Sequence, residues 1–393
     1  MGIMVTAEFG PDFSLIDGGP ANNVLRRLNL GQPLSNAALL RNAGILVLIT
    51  WLPLALLTAA QGLALHGAAI PFLKDISVHV RFLVALPVFV AAEGAVGARI
   101  RVTVAHFYVA RLIRDADLPR FQRMIATAID LRDSRVAAFA LLAVVALASW
   151  ASARQGLGTA IPTWYTPAVD GRLSIAGYWY AFICLPILHF LVLRWIYRLI
   201  VLTFLLGQIA TLDLRLTPSH PDGAGGLAFL GRILPLFGGI VFAFSAMAAA
   251  RIATRVLFGG TDLYDDLAAL AILIAIELVI FAAPLALFMP KLFALREAGL
   301  RRYGALGTRY TQSFEAKWID GPAADEPLLG TSDIQSLADL ANSYEVVHRM
   351  KVIPAGLNDL ATLIVPAILP ALPLAATVVP VSELLKDMLK LIA

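Results

Sequence analysis

The sequence predicts an all-α, polytopic membrane bundle of about seven spans with a small helical layer on one side, and three observations predict it. Hydrophobic residues make up 59% of the 393 and charged residues only 15%, with a mean hydropathy of +0.78. Soluble domains run at roughly 45–50% apolar and about 25% charged. Apolar runs of the length that crosses a hydrocarbon core of about 30 Å, at about 1.5 Å per helical residue, recur at 43–64, 78–98, 136–153, 176–206, 233–254, 267–290 and 360–381. Finally, the basic residues alternate. Arg26, Arg27 and Arg41 precede the first run, eight arginines lie from Arg99 to Arg135, four stand around the fourth connection (Arg194, Arg198, Arg215, Arg232), and eight basic residues run from Lys291 to Lys351, against two in each alternate connection. An excess of Lys and Arg marks cytoplasmic loops, so the N-terminus is expected in the cytoplasm of a plasma membrane. With 25 arginines among 31 basic residues, a bacterial inner membrane is the expected one.

Four regions follow: a cytoplasmic segment 1–42, spans one to six in 43–290, a cytoplasmic helical extension 291–352, and a proline-rich seventh membrane segment with a C-terminal amphipathic helix in 353–393. Segment 1–42 mixes acidic residues, glycines and prolines ahead of the first apolar run, unlike a secretory signal with its basic start and immediate apolar core. In 99–135, Val104, Phe107, Leu112, Ile113, Phe121, Ile125 and Ile129 recur near helical spacing, with Asp117-Leu118-Pro119 breaking the segment into two amphipathic helices. Pro162–Pro167 and Tyr178-Trp179-Tyr180 read as an aromatic belt at the outer interface.

Span four carries His189, Arg194 and Arg198 in an otherwise uncharged run, and the two arginines share a helix face four residues apart. Either the span ends near residue 193 and the arginines reach the cytoplasmic headgroups, or a longer helix holds both inside the bundle. Charge at a helix centre costs roughly 2.5–3.5 kcal/mol per residue on insertion scales, so a lipid-facing pair is disfavoured. Glu277 stands alone near the middle of span six, and Glu93 stands alone in span two, nearer its cytoplasmic end. Glu277 is expected either to tie Arg194 or Arg198 and so fix helix register, or to serve a proton or ion path.

Between spans four and five, His220-Pro221-Asp222-Gly223 has the pattern of a type I turn, proline second and glycine fourth. Gly225 and Gly226 then allow close approach to a neighbouring helix. The competing expectation is a gate or an anion nest of consecutive amides at the inner mouth. In the seventh run, Pro366, Pro370, Pro373 and Pro380 fall on one helical face, and each removes a backbone donor. An unbroken lipid-facing helix is therefore not expected there, and the segment is either packed against partners or beside a wet cavity.

The single cysteine, Cys184, excludes an internal disulfide and a cysteine metal site, and the six histidines form no catalytic or metal motif. No cofactor, metal or nucleic-acid partner is expected; membrane lipids and an ion or small-molecule substrate are, with a homo-oligomer as the expected state. The leading expectation is a channel or transporter using the buried Arg and Glu residues. The alternative is a scaffold, sensor or accessory subunit whose cytoplasmic layer binds a partner.

Overall fold

The computed structural model describes residues 13–19, 36–157, 161–167, 172–321 and 332–375. Seven helices in them are long and apolar enough to cross a membrane, and no strand occurs among the described residues beyond one isolated bridge, Ile70 with Thr163. The chain is a helical membrane bundle, and the physics of its elements follows from a solvent that satisfies no backbone group, which leaves helices as the economical way across.

Helix α1 is Asn36–Ala60. Its intramembrane hydroxyls are satisfied locally, Thr50 donating to the Leu46 carbonyl and Thr58 to that of Leu54, both at 2.7 Å. Helix α2, Ile76–Val109, starts at Asp75, whose carboxylate accepts the Val78 amide. After a break, α3 is Leu118–Asp133 and α4 is Arg135–Leu157. Helix α5, Ile175–Ala210, starts at Ser174, whose hydroxyl accepts the Gly177 amide at 2.9 Å.

Helices α2 and α5 share a defect. Each has a π-helical stretch near its start, Val80–Ala85 and Tyr180–Cys184, just before a proline, Pro87 and Pro186. A proline ring has no N–H and crowds the carbonyl one turn back, and the wider π turn absorbs that mismatch without breaking the span. The two helices are tied at two levels: the Arg81 guanidinium donates to the Tyr180 hydroxyl, and the Trp195 indole donates to the Phe89 carbonyl at 3.0 Å.

Helix α6, Ala228–Gly259, is the most buried span, with 61% of its apolar window inside the protein; α4 is the least, at 11%, so α6 is central and α4 peripheral. Helix α7 is Leu263–Ala286, α8 is Met289–Trp318 and α9 is Ser332–His348. The last span, α10, is Leu357–Ile368, continued by a tighter turn at Leu369–Ala371 and a final turn Leu372–Ala375. It packs on the small-residue face of α6: a Cβ on Gly238 would lie 2.7 Å from the Thr362 carbonyl, and one on Gly231 at 2.7 Å from the Asp359 carboxylate. Small residues bring backbones close where lipid gives no hydrophobic drive for helix association.

The arginine-rich end of the bundle carries the expected helical layer. Tyr303 on α8 donates to Ser219, while Tyr310 and Trp318 both bind Asp333 of α9, so the aromatic stripe of α8 serves as the seam of a two-helix arm. At the opposite end the aromatic belt expected at Pro162–Pro167 is corrected: Trp164 is fully buried, stacks edge-on against Phe72 and Tyr180, and donates its indole N–H to Asp75 at 2.9 Å. A buried carboxylate draws the indole inward. Tyr178, 55% exposed, is the ring from that set that faces outward.

Candidate functional site

Glu93 follows Pro87 on α2, and Arg194 and Arg198 follow Pro186 on α5, where the arginine side chains reach it. One carboxylate oxygen of Glu93 accepts from Arg198 at 2.9 Å and lies 3.2 Å from Arg194. The side chains of Glu93, Arg194 and Arg198 are only 13%, 12% and 6% exposed, and the Arg198 guanidinium also lies over the Trp195 ring, 5.0 Å from its centroid. Two cations share one anion, which leaves a net positive charge in a largely buried site.

The expected tie between Glu277 and these arginines does not form. Glu277 lies on α7, where Ser245 of α6 donates to one of its oxygens at 2.9 Å, and the other oxygen is buried without a hydrogen-bond partner. Both α2 and α7 touch α5, and of their two carboxylates it is Glu93 that meets the arginines, while Glu277 is engaged by Ser245 of α6. His189 turns to α4, its Nδ1 2.9 Å from the Ser149 hydroxyl, and does not join the charge cluster.

The cluster sits toward the arginine-rich end of the bundle. Tyr197, between the two arginines, donates its hydroxyl to the Leu131 carbonyl of α3, and Arg101 pairs with Asp17 at 3.0 Å. Of the two readings of span four, the longer helix is the one observed: α5 continues to Ala210, well past Arg198, and both arginines are paired inside protein.

Beside the cluster, α4, α5 and residues 13–19 enclose a cavity of about 560 Å³, lined mostly by apolar side chains and by Arg132, Arg135, Arg194 and Arg198. Arg132 is held by Asp133, through two bonds of 2.7 Å, and by the Ser14 carbonyl. Leu15 and Ile16 of the N-terminal segment are buried at 2% and 3% exposure, which anchors the cavity floor.

The His220–Gly226 turn has a structural role. The His220 carbonyl accepts the Gly223 amide at 3.1 Å, closing the expected turn. The Asp222 carboxylate then accepts the amides of Ala224, Gly226 and Ala228 at 2.8, 3.1 and 3.0 Å and lies 2.9 Å from His220 Nδ1. This corrects the anion-nest reading: the chain supplies its own anion and so caps the start of α6. Burial pushes the Asp222 carboxyl up, but the three amides and His220 outweigh it and hold it below the usual carboxylate range. Gly223, Gly225 and Gly226 have φ of +65°, +64° and +98°, and a Cβ on Gly225 would come 2.8 Å from Leu295 of α8. Lys351 donates its amide to the Gly223 carbonyl at 2.8 Å. The turn is the hub on which the helical layer is assembled.

Among the prolines, Pro366 and Pro370 are half-buried and Pro373 is exposed, with Leu363, Ala367 and Leu374 forming the packed face. Of the two settings expected for this segment, packing against a partner is the one observed: Leu363 and Ala367 are buried, and Pro366 also reaches Gly238 of α6. Pro380 lies outside the described residues.

Sequence reasoning placed Glu93 in one buried-charge network with Arg194, Arg198, Glu277 and His189 but named Glu277 as the tie to the arginines, and it missed Ser245 as the partner of Glu277. A signal for Glu93 as the tie was present: Ala85-Leu86-Pro87 and Cys184-Leu185-Pro186 match, and counting from the two prolines places Glu93 and Arg194 within one helical turn of the same depth. No family model matches this chain, and no curated protein or solved structure resembles it at a significant level.

Proposed function

We propose that this multi-pass membrane protein is a transporter for an anionic substrate, with its N-terminus and arginine-rich layer in the cytoplasm. The observation that carries the reading is the cluster of two buried arginines on one carboxylate, Glu93, beside a cavity that both arginines also line. Buried intramembrane charge is costly and is retained where it serves a substrate or ion path, and a net positive site selects anions. The packed aromatic end, with Trp164, Phe72 and Phe82 fully buried, favours a carrier that rearranges over an open pore. Glu277, with one oxygen bonded by Ser245 and the other unpartnered, is the group we assign to proton coupling. The alternation of basic connections supports the orientation.

Flux in liposomes tests this. Purified protein is reconstituted with an imposed pH gradient, and uptake of a panel of organic and inorganic anions is measured. Wild type is expected to move at least one anion, Arg194→Gln to lose that flux, and Glu277→Gln to keep its melting temperature while losing the response to the gradient. Absence of flux for every anion, or a flux that both variants leave untouched, refutes the proposal. The alternative, a scaffold, draws on the α8–α9 arm, most of whose surface is exposed; a stable protein partner recovered on that arm, together with absent flux, selects it.

A further inference from the structure

We infer that the cavity between α4 and α5 binds an anionic phospholipid, drawn laterally from the bilayer. The inference rests on the anion reading of the preceding subsection and gives that anion a chemistry. The cavity, about 560 Å³, lies within the range of roughly 300–1,000 Å³ typical of small-ligand sites. Its two ends differ in kind. Toward the arginine-rich side stand Arg135 and Arg194; deeper in the bundle the walls are Phe139, Leu142 and Phe190. A headgroup phosphate on the arginines with an acyl chain along those walls matches both ends, whereas a small hydrophilic anion would leave the apolar walls wetted.

The charge count favours an anion. Arg132 is neutralised by Asp133, Arg194 and Arg198 share Glu93, and Arg135 has no carboxylate partner among the described residues, so the surplus is positive. A zwitterionic lipid would bring its own ammonium into that field. Basic pockets between membrane helices on the cytoplasmic side are suited to anionic headgroups by the same physics. The mouth faces the right solvent: Phe139 and Leu142 on the cavity wall are 72% and 52% exposed, and they belong to α4, the most peripheral span, whose exposed surface meets lipid in a membrane. Entry therefore needs no passage through water.

Native mass spectrometry of the full chain in detergent, titrated with dioleoyl phosphatidylglycerol or dioleoyl phosphatidylcholine, reads the binding. Phosphatidylglycerol is expected to bind at least tenfold tighter. Arg135→Gln should weaken it about tenfold, the effect of losing one charge-assisted contact, while Arg309→Gln on the exposed face of α8 should leave it unchanged. If Arg135→Gln fails to fold, Ala138→Trp, which fills the cavity from α4, should abolish the preference. Equal affinity for the two lipids, full phosphatidylglycerol binding in the variants, or displacement of the lipid by millimolar inorganic phosphate would overturn the inference. Failure of the transport reading is separable: lipid binding without flux leaves this site standing, and flux of a soluble anion without lipid preference removes it alone.

Discussion

Replacing Glu93 by Gln should destabilise this protein more than removing either arginine, and the geometry says by how much. The carboxylate oxygen stands 2.9 Å from Arg198 and 3.2 Å from Arg194. At an effective dielectric of about 20, each contact is worth roughly 5–6 kcal/mol of attraction, against a desolvation cost of several kcal/mol per ion. Glu93→Gln removes both attractions at once and leaves two like charges one helical turn apart with no counter-ion. Arg198, with its side chain 6% exposed, has little solvent to turn to. Breaking a buried pair in this way costs about 3–5 kcal/mol. Arg194→Gln instead leaves a one-to-one pair and relieves the repulsion between guanidinium groups, so a smaller loss is expected. The assay is thermal unfolding of the full chain in detergent, read as an ordering of midpoints because a protein of this size need not unfold in two states. Glu93→Gln should lower the midpoint on the order of 5 °C, and adding Arg198→Leu to it should recover part of the loss. If Glu93→Gln melts with wild type, or if Arg194→Gln is the worse variant, the cluster is not the buried two-cations-on-one-anion arrangement argued here.

Three further outcomes are expected. Gly223→Ala and Gly225→Ala both place a side chain at positive φ, worth roughly 1–2 kcal/mol, but only the second meets Leu295, at 2.8 Å, so its melting midpoint should fall clearly further. Asp222 is held below the usual carboxylate range, so its stabilising share is complete above about pH 5 and is lost as pH falls through its lowered folded value; Asp222→Asn should melt lower than wild type near pH 7, and the gap should close in acid. Trp164→Phe keeps the ring contacts but strips the buried Asp75 carboxylate of its indole donor at 2.9 Å, a loss of about 1–3 kcal/mol readable by the same melts.

How much of this was legible in the sequence depends on which physical effect governs each feature. Span positions were legible because a bilayer imposes a length and a composition on each helix separately, with no knowledge of neighbours. The turn at His220–Gly223 was legible because local backbone preference decides it. The partner of Arg194 and Arg198 was not, since Glu93 and Glu277 are chemically equivalent candidates and the helices of both touch α5, so only the three-dimensional placement of each side chain chooses between them. Trp164 was misplaced for a related reason: an aromatic ring flanked by prolines looks interfacial until a buried carboxylate, Asp75, is brought to its indole from a distant part of the chain.

Span four was ambiguous because α5 serves two solvents. Its first part crosses the bundle beside α2, and its last part, from Tyr197 to Ala210, continues below as the surface on which α3 packs, from the Leu131 carbonyl at one end to Arg120 against Thr211 at the other. A helix that leaves the bilayer into a protein layer stays apolar on its packed side, so hydropathy alone marks no exit. The guanidinium groups stand where α5 passes from the bundle to the layer: both line the cavity, and Arg198, with its side chain 6% exposed, is paired with Glu93.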